Sequence, residues 1–182
     1  MRDTLSSPRG GARFVLALAL AGALAACKTA DDAGQRGSPT ARTIGARLAP
    51  IGGSATTGLV TFRPYEGGVV MAANFGGVGA GPYRVAIHTI ANCTSPNGFS
   101  AGAPMLLSGA SEPVVVAVWT EGSEGTVSTV TRIAGVAIDG PAGLDGKSVV
   151  VHAGAVGPLD ALPGVPNGRL ACGLIAPMTT LF

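Results

Sequence analysis

Gly81-Pro82-Tyr83-Arg84-Val85-Ala86-Ile87-His88 is the stretch on which the fold class turns. Gly81 and Pro82 punctuate its start. Tyr83, Val85 and Ile87 then alternate with Arg84, Ala86 and His88, a two-residue period in which every second side chain can face a core. The same texture extends in both directions. Residues 43–49, 58–63, 69–74, 82–88, 114–120, 126–137, 148–152 and 170–175 form short apolar segments separated by Gly, Pro, Ser and Asn. Leu59-Val60-Thr61-Phe62 alternates as clearly as the opening stretch. Eight such segments predict an all-β sandwich or barrel. Beyond the first 26 residues no 12-residue window carries a helical period free of Gly and Pro, and no internal repeat is evident.

Composition agrees. Hydrophobic residues make up 47% of the 182, yet aromatics only 4%, and there are 29 Gly and 13 Pro. Ala and Val with Gly and Pro punctuation favour short strands over a helical bundle. Charged residues reach 12%, half the usual quarter, so a long charged tail is excluded as the main content. The net charge of +2 resides in the leader: without Arg2, Arg9, Arg13 and Asp3, nine basic and nine acidic side chains remain. No basic stripe is left to follow a phosphate backbone, so no nucleic-acid partner is expected.

Residues 1–26 read as an export signal, with a positive start and then the 13-residue apolar run FVLALALAGALAA. That run is short of the roughly 20 apolar residues a transmembrane helix needs. It ends in Leu24-Ala25-Ala26-Cys27, which resembles the bacterial lipobox. The resemblance implies cleavage before Cys27 and a diacylglycerol on its thiol, hence a membrane partner through that lipid. The alternatives are ordinary cleavage near Ala26 and an inner-membrane anchor. Residues 27–42, rich in Ala, Asp, Gly, Ser and Thr, read as a flexible tether. Residues 43–182 are left as the folded domain. Lys28 is not the Asp that retains lipoproteins in the inner membrane. The expected address is therefore the bacterial cell envelope, facing the periplasm, with the outer membrane favoured.

Three cysteines are present: Cys27, Cys93 and Cys172. Lipid on Cys27 leaves an even pair in a compartment that permits disulfides. That pair is either a bridge, worth on the order of 4 kcal/mol in the chain-entropy account, or two separate buried thiols.

Four segments together resemble the copper/zinc superoxide dismutase family. Residues 81–93, with His88 and Cys93, look like the strand that ends in His-x-His and runs on to the disulfide cysteine. Ser100-Ala101-Gly102-Ala103-Pro104 resembles the Gly-rich region that follows. Ser148-Val149-Val150-Val151-His152-Ala153 is similar to the Val-Val-His strand. Asn167-Gly168-Arg169-Leu170-Ala171-Cys172-Gly173-Leu174-Ile175 matches the family's C-terminal motif closely. The pieces occur in the family's order. The resemblance implies an eight-stranded Greek-key barrel and a Cys93–Cys172 disulfide. It also implies copper held by four His and zinc held by a bridging His, two further His and an Asp.

Only two His exist to fill those places. His88 is aligned with the first His of His-x-His, Ile90 with the second, Ala103 with the bridging His, and His152 with the Val-Val-His ligand. Between Pro104 and Val114 there is neither His nor Asp, and Glu112 is the one acid, so zinc is not expected. Cu(II) prefers four ligands in a tetragonal array, whereas two imidazoles suit linear Cu(I). Copper therefore remains a possible cofactor at His88 and His152, with Met105 as a soft third ligand. The other reading makes the His pair structural, and Met71, Met105 and Met178 gap-filling core residues. Arg169 matches the family's anion-guiding arginine; alternatively it ties loop carbonyls together.

Other chemistry is poorly served. There is no Gly-x-Ser-x-Gly elbow for a hydrolase. The glycine-rich residues 76–81 precede a strand, where a phosphate cradle would open a helix. The sequon Asn92-Cys93-Thr94 has no consequence in a bacterial lipoprotein. Two function classes are expected: a non-catalytic binding or structural module whose protein partner is not named by the sequence, or a residual copper protein, as weak dismutase or Cu(I) carrier.

Overall fold

A computed structural model describes residues 42–107, 109–120, 125–154 and 168–178. The expected signal peptide, the lipid-bearing Cys27 and the tether up to residue 41 lie outside the described residues. Eight main strands follow in order: β1 (Ile44–Pro50), β2 (Thr57–Tyr65), β3 (Gly68–Gly76), β4 (Pro82–His88), β5 (Val115–Trp119), β6 (Val127–Ala134), β7 (Ser148–Ala153) and β8 (Arg169–Leu174). A two-residue strand, β9 (Ala176–Pro177), adds to β1. A 3-10 turn, Phe99–Ala101, lies between β4 and β5.

The period-2 reading explains the core. Along β3, Val69, Met71, Ala73 and Phe75 are buried while their neighbours are less so. Antiparallel register sets Met71 beside Phe62 and Ala73 beside Val60 of β2, and Ile44 of β1 beside Phe62. These side chains join Val85, Ile87, Val149 and Val151 in one interior cluster. The β2–β3 hairpin turns through Glu66-Gly67, and Gly67 at φ 75° takes the left-handed conformation that a two-residue hairpin demands. The predicted segment 126–137 is cut short because Gly135 at φ 71° ends β6. Val136 and Ile138 then return to the interior from the following loop.

All strand pairings are antiparallel, in the order β5-β4-β7-β8-β1-β2-β3-β6. β6 comes back beside β3 after the β4–β5 hairpin, and β7 inserts between β4 and β8, a Greek-key pattern. The sheet curls into a barrel with one unsealed seam, because no ladder joins β5 to β6.

β4 and β7 depart from simple alternation: both of their faces are buried. The outer face is covered by the loop 89–104. It is held there by Ser148 Oγ–H donating to Ile90 O (2.8 Å), Gly52 N–H donating to Pro96 O (2.8 Å) and the Cys93–Cys172 disulfide. At the start of the barrel the Arg42 guanidinium donates to Asp139 and, at 2.8 Å, to Asp145.

Candidate functional site

The covered outer face of β4, β7 and β8 carries the polar residues. Strand parity places Arg84, Ala86 and His88 of β4 on it, and the β4–β7 register sets them opposite His152, Val150 and Ser148. Across β7, Val150 faces Cys172 and His152 faces Arg169, past an irregularity between Val151 and His152. The two His thus start from opposite ends of the β4–β7 ladder and lean toward each other over Ala86 and Val150.

Their imidazoles meet. His88 Nε2 lies 3.2 Å from His152 Nε2, with ring centres 5.3 Å apart and planes 14° from parallel. The nitrogen approach is much shorter than the separation of centres, so the rings touch tip to tip. Both His are fully buried. His88 Nδ1 lies 2.9 Å from the carbonyl oxygen of Gly102 in the covering loop. That oxygen only accepts, so Nδ1 carries the hydrogen.

A metal ion between the two Nε2 atoms, at imidazole–metal bonds of about 2.0 Å, needs them about 4 Å apart on a straight line. At 3.2 Å the spacing is that of a nitrogen–nitrogen hydrogen bond. Among the described residues no group of three or more His, Cys, Asp or Glu is placed to hold a metal ion. The residues present therefore do not fit a four-ligand copper centre with its zinc neighbour.

The other sequence-predicted positions are placed as follows. Met105 pairs beside Ile87 through Met105 N–H donating to Ile87 O (2.7 Å) and packs in the interior cluster. That is the face of β4 away from the imidazoles, so Met105 does not join them. Ile90 follows the end of β4, half exposed at 51%, and Ala103 is exposed in the loop. Within β4 the neighbour that shares the face of His88 is Ala86, and Ile90 lies beyond the strand's end. Cys93 and Cys172 are bonded, with Cα atoms 5.7 Å apart.

Arg169 is 3% exposed. Its Nη1 donates to Gly98 O at 2.6 Å and its guanidinium lies 4.8 Å from the centre of the Phe99 ring. It thereby ties the 3-10 turn of the covering loop to β8.

Arg84 is the site residue that sequence reading did not single out. It is 5% exposed, in the same cross-strand row as His152, and its Nε donates to Gly154 O at 2.9 Å. The available signal was an arginine inside an otherwise apolar strand, which burial permits only when its donors are satisfied. On the inner face, Tyr83 O–H donates to Gly79 O at 2.8 Å, and burial pushes its phenol pKa above the ordinary value.

The arrangement links three strands and a loop through buried donors and acceptors, two of them backbone carbonyls of the loop. Compared with known proteins, the chain matches no family model and no curated protein.

Proposed function

We propose that this chain is an exported, lipid-anchored domain with a copper/zinc superoxide dismutase-like barrel that lacks the ligands for dismutation and serves as a non-catalytic binding or structural module of the bacterial cell envelope. The observation that carries this reading is the tip-to-tip contact of His88 and His152 at 3.2 Å, where a copper centre needs separated nitrogens and further ligands. The Greek-key strand order and the Cys93–Cys172 bridge support the fold assignment. So does the position of both imidazoles on the covered outer face. The lipobox-like Leu24-Ala25-Ala26-Cys27 supports the anchor.

Dismutation requires a metal that cycles between two oxidation states at one site. Two imidazoles without a tetragonal ligand set hold the oxidised state poorly. In this reading Arg169 ties the loop and guides no substrate. The competing reading, a Cu(I) carrier, draws on the same approach of the two rings, but requires the nitrogens to part from 3.2 Å to about 4 Å inside a packed face.

Copper titration of the purified chain, followed by a superoxide dismutation assay, tests the proposal. The expected result is weak Cu(II) binding and activity far below that of a complete enzyme. Robust activity dependent on both His88 and His152 would overturn it. The anchor is tested separately: Cys27→Ser should abolish incorporation of labelled fatty acid and release the domain from membranes.

A further inference from the structure

We infer that His88 and His152 form a directional hydrogen-bond lock that fastens β4, β7 and the covering loop together in the metal-free protein; this rests on the reading that the chain binds no copper. The direction follows from the acceptor at one end. Gly102 O can only accept, so His88 Nδ1 is the protonated nitrogen, at 2.9 Å. A neutral His88 then presents a bare lone pair at Nε2. His152 Nε2, 3.2 Å away, must carry the hydrogen that fills the gap, whichever charge state His152 adopts. The chain of donors therefore runs from His152 to His88 to Gly102, one way only.

The lock adds a side-chain link to the β4–β7 ladder and to the His88–Pro104 bridge between β4 and the loop. His152 lies at the far end of β7, four positions along the register from the residue opposite His88, and Gly102 belongs to the loop. Both rings are fully buried, so no water competes for these donors. Where a metal would cross-link the face by pulling two lone pairs onto one ion, a single hydrogen does so at the shorter spacing.

The two ends have different chemical requirements, and this makes the inference testable. Toward His88, position 152 supplies a donor where Nε2 sits, and a glutamine amide can supply one there. Position 88 needs a donor at Nδ1 and an acceptor at Nε2 on one rigid ring, which no amide provides. Gln at position 152 should therefore keep this contact, whereas Gln at position 88 should not.

Long-range proton–nitrogen NMR correlation on the full chain with ¹⁵N-labelled histidine, treated with chelator, reads the tautomers directly and needs no variant. The expected spectrum has His88 protonated at Nδ1 with a bare Nε2, and His152 protonated at Nε2. A hydrogen on His88 Nε2 would overturn the lock, regardless of metal. His152→Gln should leave His88 protonated at Nδ1 with a bare Nε2, while His88→Gln and His152→Ala should each lower the thermal midpoint by roughly 5–10 °C. Titrating Cu(I), and Ag(I) as its redox-inert probe, into the labelled protein separates the two readings. Unmoved imidazole signals are expected. Signals that move to metal-bound positions from the tautomers given above would leave the lock intact as the apo state and sink the copper-free reading instead.

Discussion

Arg169 donates from Nη1 to the carbonyl of Gly98 at 2.6 Å, so a buried guanidinium on β8 grips the same loop that Cys93 fastens covalently to Cys172, three residues further along β8. The His88–Gly102 contact, Ser148 Oγ–H on Ile90 O and Gly52 N–H on Pro96 O attach the loop at further points along its length. Replacing Arg169 with Ala leaves the Gly98 oxygen with the Ala101 N–H, at 3.2 Å, as its remaining donor and removes the cation that lies beside Phe99. The expected loss is roughly 2–3 kcal/mol, read from urea denaturation, with Arg169→Lys recovering only part because an ammonium cannot keep the planar fork.

The disulfide closes a loop with a sequence separation of 79 residues. Chain entropy assigns such a closure about 4 kcal/mol. Reduction should therefore shift the denaturation midpoint strongly, and non-reduced peptide mapping should recover the Cys93–Cys172 linkage. Reduction and Arg169→Ala should be less than additive in their cost, since both release one segment.

Ala86 lies on the outer face between the two leaning imidazoles, and it is fully buried. Ala86→Leu inserts three carbons where the ring tips pass over β4. Overpacking of this kind costs about 1–3 kcal/mol. The variant should also shift the imidazole signals of both His, whereas an equally large change at an exposed position such as Ser128 should leave them unchanged.

Much of the fold was legible because burial of one sheet face imposes a period of two. Val69, Met71, Ala73 and Phe75 show it openly, and the pairing of Cys93 with Cys172 agreed with the cysteine arithmetic. The site was legible only in outline. Arg84 is buried because Ala153 and Gly154, some 70 positions away, offer it carbonyls, and no local pattern carries that information. Met105 reads as a possible ligand until the Ile87 contact shows which face of the sheet it joins. Ile90 and Ala86 are both two residues from His88, so only the end of β4 decides which of them shares its face.

Tyr83 gives the barrel an alkaline limit. Burial raises its phenol pKa above the ordinary 10.0, with the bond to Gly79 acting in the opposite sense. As pH rises through the unfolded value, the unfolded chain releases its proton first while the folded chain retains it. Stability present below about pH 10 is therefore lost above it. Thermal midpoints of the parent should fall between about pH 9 and about pH 11, and those of Tyr83→Phe should fall less, so the gap between them narrows. A constant gap would mean that the phenol does not contribute.

The unsealed seam between β5 and β6 has a mechanical consequence. A tube slit along its length resists crushing almost as well as an intact one but yields readily to torsion, because the two lips slide past each other. In this barrel the lips are β5 and β6, each joined by ladder bonds on one side alone, β5 to β4 and β6 to β3. Twisting the β1-β2-β3-β6 half against the β5-β4-β7-β8 half strains no hydrogen bond at the seam, so shear concentrates at the β1–β8 junction, where the register comprises two residue pairs. The imidazole pair sits within the second half, away from that junction, whereas Cys172 of the disulfide belongs to it, paired with Ala49.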